Sequence, residues 1–219
     1  MNRRSTISAF VYLAFLIVSL SGCQTLYLES LEQLGIEKRE VLHTRVEKVK
    51  QSQTVAKEQF SDSLTNFKQL VAFDGGKLEK TYRRLDKSYQ KTEARALEVS
   101  ERIEAMDNVA KLLFEEWQTE LSQYQNNELK EKSEVLLRQT ENNYKTMLKS
   151  MWAAEAKMQP VLTSMHDQVL YLKHNLNAQA LGQINVEVAN IEKEVANLIQ
   201  EMNKSIQSAD KFIQSLDSI

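Results

Sequence analysis

The amino-acid sequence predicts an all-α protein: an elongated antiparallel bundle of about four long helices, with coiled-coil-like packing and a protruding two-helix hairpin. The first supporting observation is the scarcity of helix-breaking residues, since the 219 residues include 5 glycines and 1 proline. Average usage would give roughly 25 of the two together. The second is that apolar residues recur three and four positions apart over long stretches, which is the spacing of one helical face. The third is that all the glycines fall where these stretches end.

The predicted bundle is organised around the stretch from Leu78 to Tyr124. At 1.5 Å per residue such a helix is about 70 Å long, and its apolar stripe needs other long helices beside it. The stripe consists of Leu78, Tyr82, Leu85, Tyr89, Thr92 as the one polar member, Ala96, Val99, Ile103, Met106, Ala110, Leu113, Trp117, Leu121 and Tyr124.

Similar stripes before and after it predict helices at approximately 36–73, 77–124, 128–181 and 184–217. The gaps contain Asp74-Gly75-Gly76, an asparagine pair that includes Asn126, and Gly182, and these residue types are typical of helix ends and caps. At Asn126 the chain could either reverse in a tight turn or continue as one long helix. The apolar spacing loses its phase there, which favours the reversal.

Pro160 predicts a kink in the third helix, because proline removes a backbone donor and clashes with the preceding turn.

The helix lengths indicate which part of the bundle protrudes. The second and third helices exceed the first and fourth by roughly 10 to 20 residues, or about 15 to 30 Å. We therefore expect their tip to extend as a hairpin on the side where the first helix begins. The stripe of the third helix contains Leu129, Leu136, Thr140, Tyr144, Met147, Met151, Ala154, Met158, Val161, Met165, Val169, Leu172, Leu176 and Ala180.

The amino terminus is typical of a bacterial lipoprotein. Two arginines precede the apolar run 7–20, which has the length of a secretory signal and is too short to span a membrane. Leu20-Ser21-Gly22-Cys23 then matches a lipobox, the signal-peptidase motif whose cysteine thiol receives diacylglycerol before cleavage on its amino side. The sequence thus predicts a signal peptide at 1–22, a lipidated amino terminus and tether at 23–35, and one helical domain at 36–219.

Lipidation of Cys23 would attach the chain to a membrane. The diacylglycerol and the amide-linked acyl chain together supply more than the two anchoring signals that stable attachment needs. An ordinary signal peptide with an incidental cysteine is the alternative. Gln24 stands where an aspartate favours inner-membrane retention in enteric-type bacteria, so we expect the periplasmic face of a Gram-negative outer membrane. The segment Thr25–Gly35 has an apolar helical face, which could lie on lipid or begin the bundle.

Charge and motifs argue against several function classes. The net charge is −2 with both signs interspersed, and there is no basic stripe for nucleic acid. The sequence contains no glycine-rich phosphate loop, GxSxG or HExxH motif, so we expect no enzyme, no cofactor and no metal site. His166 and His174 are too far apart to share a metal without other ligands. The third helix's methionines could suit Cu(I), but their stripe positions favour core packing.

The least regular stretch is 167–179, where Asn175 and Asn177 interrupt a helix otherwise made of good helix formers. A frayed, solvated helix end is one interpretation, and a polar recognition patch is the other. The candidate interaction patch comprises Asp74, Gly75, Gly76, Lys173, His174, Asn175, Asn177 and Gln179. The predicted topology brings these residues to one end of the bundle, away from the membrane.

Three sets of segments also carry a family resemblance: Leu34-Gly35-Ile36-Glu37-Lys38-Arg39; Phe73-Asp74-Gly75-Gly76 with Leu78, Glu79 and Tyr82; and Glu155–Leu162 leading into Asp167–Ala178. Together they resemble a bacterial family, domain of unknown function 2959. The resemblance covers essentially the whole mature chain. It implies a helical envelope protein, commonly a lipoprotein, and it supplies no activity and no catalytic residue.

The functional hypothesis is a non-enzymatic, periplasm-facing outer-membrane lipoprotein that serves as a scaffold or adaptor for another cell-envelope protein. The alternative is a chaperone-like or hydrophobic-ligand-binding helical bundle of the periplasm, opening along its methionine-rich third helix. A homo-oligomer is a further alternative, because long amphipathic helices often bury a second apolar face between chains.

Overall fold

The computed structural model describes residues 37–71, 78–175 and 178–218. These residues form α1 (Lys38–Val71), α2 (Leu78–Glu120), α3 (Asn127–Glu155), α4 (Met158–His174) and α5 (Ala178–Asp217), with a 3-10 turn at Leu121–Gln123. None of the described residues lies in a strand. The prediction of an all-α bundle of long helices is confirmed.

The chain divides into two compact units, Met1–Val41 and Leu42–Ile219. In the first unit, the Glu37 carbonyl accepts hydrogen bonds from the backbone N–H groups of Glu40 at 3.0 Å and Val41 at 3.2 Å, which begins α1. The packing described below lies within the second unit. In the described part of the chain, no helix combines the length and apolar character that crossing a membrane requires.

The helices of the second unit pack as four antiparallel rods. The first rod is α1, the second α2, the third α3 with α4, and the fourth α5. Both halves of the third rod pack against α2 and against α5. Side-chain bonds link α1 to its two neighbours: the Ser63 and Ser88 hydroxyls are 2.8 Å apart, and Lys57 Nζ donates to Asn203 Oδ1 at 3.0 Å.

The core of the bundle is the predicted apolar seam. Burying one such side chain contributes about 1.5–3 kcal/mol. The fully buried members include Leu42, Val46, Val49, Phe60 and Phe67 of α1, Leu85, Val99, Ile103 and Met106 of α2, Met147 and Met151 of α3, Met165 and Leu172 of α4, and Leu198 and Met202 of α5.

One polar layer inside this seam is completely hydrogen-bonded. The Ser63 hydroxyl of α1 lies 2.8 Å from the Ser88 hydroxyl and 2.7 Å from the Thr92 hydroxyl of α2. Thr92 also donates to the Ser88 carbonyl at 2.9 Å, and the Asn66 side chain donates to the Ser88 hydroxyl at 3.1 Å. Because every member has a partner, burial of this layer carries little desolvation cost.

The α2–α3 hairpin extends beyond the end of α5, in agreement with the predicted helix lengths. His43 Nε2 of α1 lies 3.7 Å from Asp217 Oδ1 at the end of α5. The Tyr144 ring contacts the Phe212 ring edge-on at 5.7 Å, which puts the end of α5 about five residues beyond Tyr144 on the way to the hairpin turn. Residues 117–136 lie past that level, and we call them the hairpin tip.

The third rod is interrupted close to the predicted kink, but not at Pro160 itself. The helix ends at Glu155 and restarts at Met158, and the N–H groups of the intervening residues donate to the Trp152 and Ala154 carbonyls. Pro160 becomes the third residue of α4, in the first turn, where backbone N–H groups have no partner within the helix. The missing proline donor therefore costs nothing there.

The predicted end of the third helix at 181 and the predicted start of the fourth helix at 184 were wrong. The third rod ends at His174 and α5 begins at Ala178, so Gly182 lies inside α5 instead of between helices. The backbone N–H of Asn175 donates to the Tyr171 and Leu172 carbonyls, and its side-chain amide donates to the Tyr171 carbonyl at 2.9 Å. These bonds end α4 earlier than the glycine would, and a glycine inside a helix costs only about 1 kcal/mol.

The reversal at Asn126 is confirmed, since α2 and α3 are separate helices packed against each other. Asn126 is the N-cap of α3, and its side-chain oxygen accepts the backbone N–H of Glu128 at 3.0 Å and of Leu129 at 3.2 Å. Such a bond satisfies donors that the first helical turn leaves without partners.

We expect Asn126→Ala to lower the free energy of unfolding by about 0.5–2 kcal/mol, because both capping bonds are lost. Urea denaturation followed by circular dichroism measures the change. The exposed neighbour Gln125→Ala is the control and should lie within about 0.5 kcal/mol of the wild type. Equal stability of the two variants would contradict a stabilising role for the cap.

Candidate functional site

The described structure covers only part of the predicted interaction patch. Lys173 and His174 are exposed in the last turn of α4, and half-buried Asn175 caps that helix. Asp74, Gly75, Gly76 and Asn177 lie outside the described residues, as does the side chain of Gln179. The structure thus brings together Lys173, His174 and Asn175, which are also adjacent in sequence.

The three histidines occupy separate positions. The His166 ring stacks on the Tyr89 ring with centroids 4.9 Å apart and planes 23° apart, while His43 faces Asp217 at 3.7 Å. Within the described ranges, no group of three or more His, Cys, Asp or Glu side chains is arranged to hold a metal ion. Tyr89 donates its hydroxyl to Glu93 at 2.6 Å. Desolvation, followed by this bond, raises the pKa of Tyr89 to about 12.

The methionines of the third rod are core residues. Met147, Met151, Met158 and Met165 are all buried, in agreement with their stripe positions. Flexible thioether side chains fill irregular gaps between helices well. A ligand that needed these sulfur atoms would therefore need the bundle to open.

The hairpin tip is where exposed apolar side chains concentrate. Leu129 and Val135 are each 51% exposed, and Leu136 and Tyr124 are exposed at 37% and 39%. The other large exposed apolar residues of the described chain, Leu97 and Leu170, are isolated on α2 and α4. A cluster of this kind marks an interaction surface more often than single exposed residues do.

The two helices of the tip are held together without these exposed residues. The Trp117 indole N–H donates to the Ser133 hydroxyl at 2.8 Å, and Leu121 and Leu137 are buried. Leu129 and Leu136 were predicted to be core residues, and that prediction was wrong. Continuing the regular spacing backward from Tyr144 leads instead to Leu137 and Ser133, which is the signal that the sequence analysis missed.

Charged residues border the exposed apolar surface of the tip. Val135 and Leu136 line an open depression together with Glu128, Glu131 and Lys132. Lys132 Nζ lies 2.6 Å from Glu128 Oε1 within the same helix. Over residues 117–136 there are four glutamates and two lysines, so this surface has an acidic balance that favours a basic partner.

A buried tyrosine connects α2 and α3 just below the tip. The Tyr144 hydroxyl donates to Asp107 Oδ1 at 2.8 Å, and Lys111 Nζ lies 2.7 Å from Asp107 Oδ2. Phe114 and Phe212 contact the Tyr144 ring edge-on. Burial, followed by the bond to Asp107, raises the pKa of Tyr144 well above its usual range. The phenol therefore stays protonated in the folded bundle at alkaline pH.

The fold and these surfaces define a class of protein, the all-α antiparallel helical bundle. Residues 27–216 match the family model described as "Protein of unknown function (DUF2959)", and the chain belongs to this family. The resemblance seen in the sequence is thereby confirmed. No curated protein matches the chain.

We expect Tyr144→Phe to lower the free energy of unfolding by about 1–2 kcal/mol at pH 7, because the bond to Asp107 is lost. Above about pH 10 the unfolded tyrosine ionises while the folded one keeps its proton, so wild-type stability falls as pH rises. The variant should show a shallower fall. Urea denaturation between pH 7 and pH 11 measures both effects.

The exposed Tyr124→Phe is the matched control for Tyr144→Phe. It should leave stability at pH 7 within about 0.5 kcal/mol of the wild type. A Tyr144→Phe chain with wild-type stability at pH 7 and an unchanged alkaline slope would show that the buried phenol contributes nothing.

Proposed function

We propose that this chain is a non-enzymatic lipoprotein of the bacterial outer membrane. In this proposal the lipid on Cys23 holds it on the periplasmic face, and its bundle is a scaffold or adaptor for another cell-envelope protein. The Leu20–Cys23 motif supports the lipoprotein part. The adaptor part rests on one observation, the cluster of exposed apolar side chains at the hairpin tip.

The tip supports a docking role because its exposed side chains are unnecessary for holding the hairpin together. Keeping large apolar side chains in water forgoes about 1.5–3 kcal/mol each. Leu129 and Leu136 lie seven residues apart, or about two turns, with Val135 beside them. Such a row can receive an amphipathic helix. The acidic balance of the tip favours a helix that carries basic residues.

The patch at the other end of the bundle remains a second place where a partner could dock. Its described members Lys173 and His174 are exposed and polar, and exposed charges of this kind contribute little binding free energy on their own. The geometry therefore favours the tip. The chaperone-like alternative is less favoured, because the methionines it would use are packed inside the core.

We expect Cys23→Ser to abolish lipid attachment and release the chain from membranes, because the lipidation reaction needs the thiol. Incorporation of labelled palmitate and membrane fractionation measure the result. The matched variant Gln24→Asp should keep the lipid and move the chain toward the inner-membrane fraction. Retention of label and membrane association by Cys23→Ser would contradict the lipoprotein proposal.

We expect a photocrosslinking amino acid at position 136 of the full chain to capture a discrete partner in cells, while one at position 97 captures none. Leu97 is 60% exposed but isolated, so it controls for exposure alone. A probe at position 174 tests the opposite end. An adduct at 174 without one at 136 would move the docking surface there, and no adduct at any position would contradict the adaptor proposal.

We expect Val135→Gln with Leu136→Gln to weaken capture through the tip by tenfold or more, because roughly 1.5–3 kcal/mol is lost for each apolar side chain. Capture from a probe at Leu129 measures the change, with Leu97→Gln as the control. Lys173→Glu with Asn177→Ala is the corresponding test of the opposite end. Unchanged capture in the tip variant would exclude the apolar row as the contact.

A further inference from the structure

A second polar layer crosses the bundle between α1 and α5, and it differs from the hydrogen-bonded Ser63 layer. Gln53 of α1 and Ser205 of α5 are both completely buried. The two amide atoms of Gln53 and the hydroxyl oxygen of Ser205 have no hydrogen-bond partner within the protein. Buried polar atoms are nearly always bonded to protein or to ordered water, so this pair requires an explanation.

The register of the two helices brings Gln53 and Ser205 to within two residues of the same level. Lys50 Nζ lies 2.9 Å from Asp210 Oδ1, and Lys57 Nζ lies 3.0 Å from Asn203 Oδ1. These two contacts bracket Gln53 on one helix and Ser205 on the other. Both residues are buried at positions that continue the apolar seam. Their positions along the bundle therefore differ by less than one helical turn.

The chemistry of the pair specifies the kind of ligand. The amide offers two donor hydrogens and an acceptor, and the hydroxyl offers one donor and two acceptor sites. Neither side chain is charged, so the ligand is a neutral molecule that both donates and accepts. The seam residues one turn away include the small, buried Ala56 on α1 and Ala209 on α5, and the large, buried Met202 on the other side of Ser205. The two alanines leave more side-chain volume free on their side of the pair than a large residue would.

We propose that Gln53 and Ser205 form a binding site for a buried water molecule that bridges α1 and α5. A buried water typically makes about three hydrogen bonds, and the pair presents three polar atoms that lack a protein partner. The water gives each of them a partner and joins the two helices inside the apolar seam.

The direct test is a crystal structure of the full chain in detergent, at a resolution that shows ordered water. The expected result is a water within about 2.7–3.2 Å of both the Gln53 amide and the Ser205 hydroxyl. A direct hydrogen bond between the two side chains would overturn the proposal. So would a gap at this level that contains no water.

A thermal-denaturation cycle tests the same site in solution. Gln53→Met and Ser205→Ala each remove one side of the bridge and leave the other without a partner, so each should lower Tm by roughly 2–6 °C. The double variant should melt above both single variants, because nothing polar is then left unsatisfied. Additive losses in the double variant would overturn the proposal.

Ser52→Ala is the matched control for this cycle. Ser52 is buried next to Gln53, but its hydroxyl donates to the Val49 carbonyl of its own helix at 2.8 Å. Its loss should therefore add to that of Ser205→Ala without coupling. If the Tm losses of Ser52→Ala and Ser205→Ala were coupled as strongly as those of Gln53→Met and Ser205→Ala, any buried pair at this level would behave alike. That result would overturn the assignment of the water site.

Discussion

Burial of one apolar seam along four antiparallel rods is the interaction on which the structure depends. Fully buried side chains recur along α1, α2, the broken third rod and α5. The ion pairs contribute far less. Arg83–Glu79 and Arg102–Glu98 lie one turn apart on α2 with partly exposed side chains, and such pairs are worth only about 0.3–0.5 kcal/mol.

The polar layers within the seam restrict how the helices can slide past one another. An apolar seam tolerates a shift by one heptad, because one aliphatic contact replaces another. The Ser63–Ser88–Thr92 layer does not, since a shift would break the bonds of the buried Ser63 hydroxyl to the Ser88 and Thr92 hydroxyls. Polar residues at core positions are known to specify register at a cost in stability. The apolar seam therefore supplies most of the stability but permits several registers, whereas the polar layer adds less stability and selects one register.

The unequal helix lengths divide the bundle into a part with four packed rods and a part where the hairpin tip extends beyond α5. Along most of the unit, the third rod packs against α2 and α5, and side-chain hydrogen bonds link α1 to both. Past the end of α5, the α2–α3 hairpin loses that neighbour, and Leu129, Val135 and Leu136 are exposed. Unequal helix lengths thus create an apolar surface without any special loop. That surface, together with the motif at Cys23, underlies the proposed adaptor role.

The sequence by itself determined the helical class, the reversal at Asn126 and most of the seam, because heptad spacing and capping residues act locally. It also located the protruding hairpin, since helix length follows from residue count. Tertiary structure alone decided the exposure of Leu129 and Leu136, because that depends on where α5 ends relative to α3. It likewise decided that Gly182 lies within α5 and that Gln53 and Ser205 lie near the same level, since packing between rods overrides local preference and sets the register.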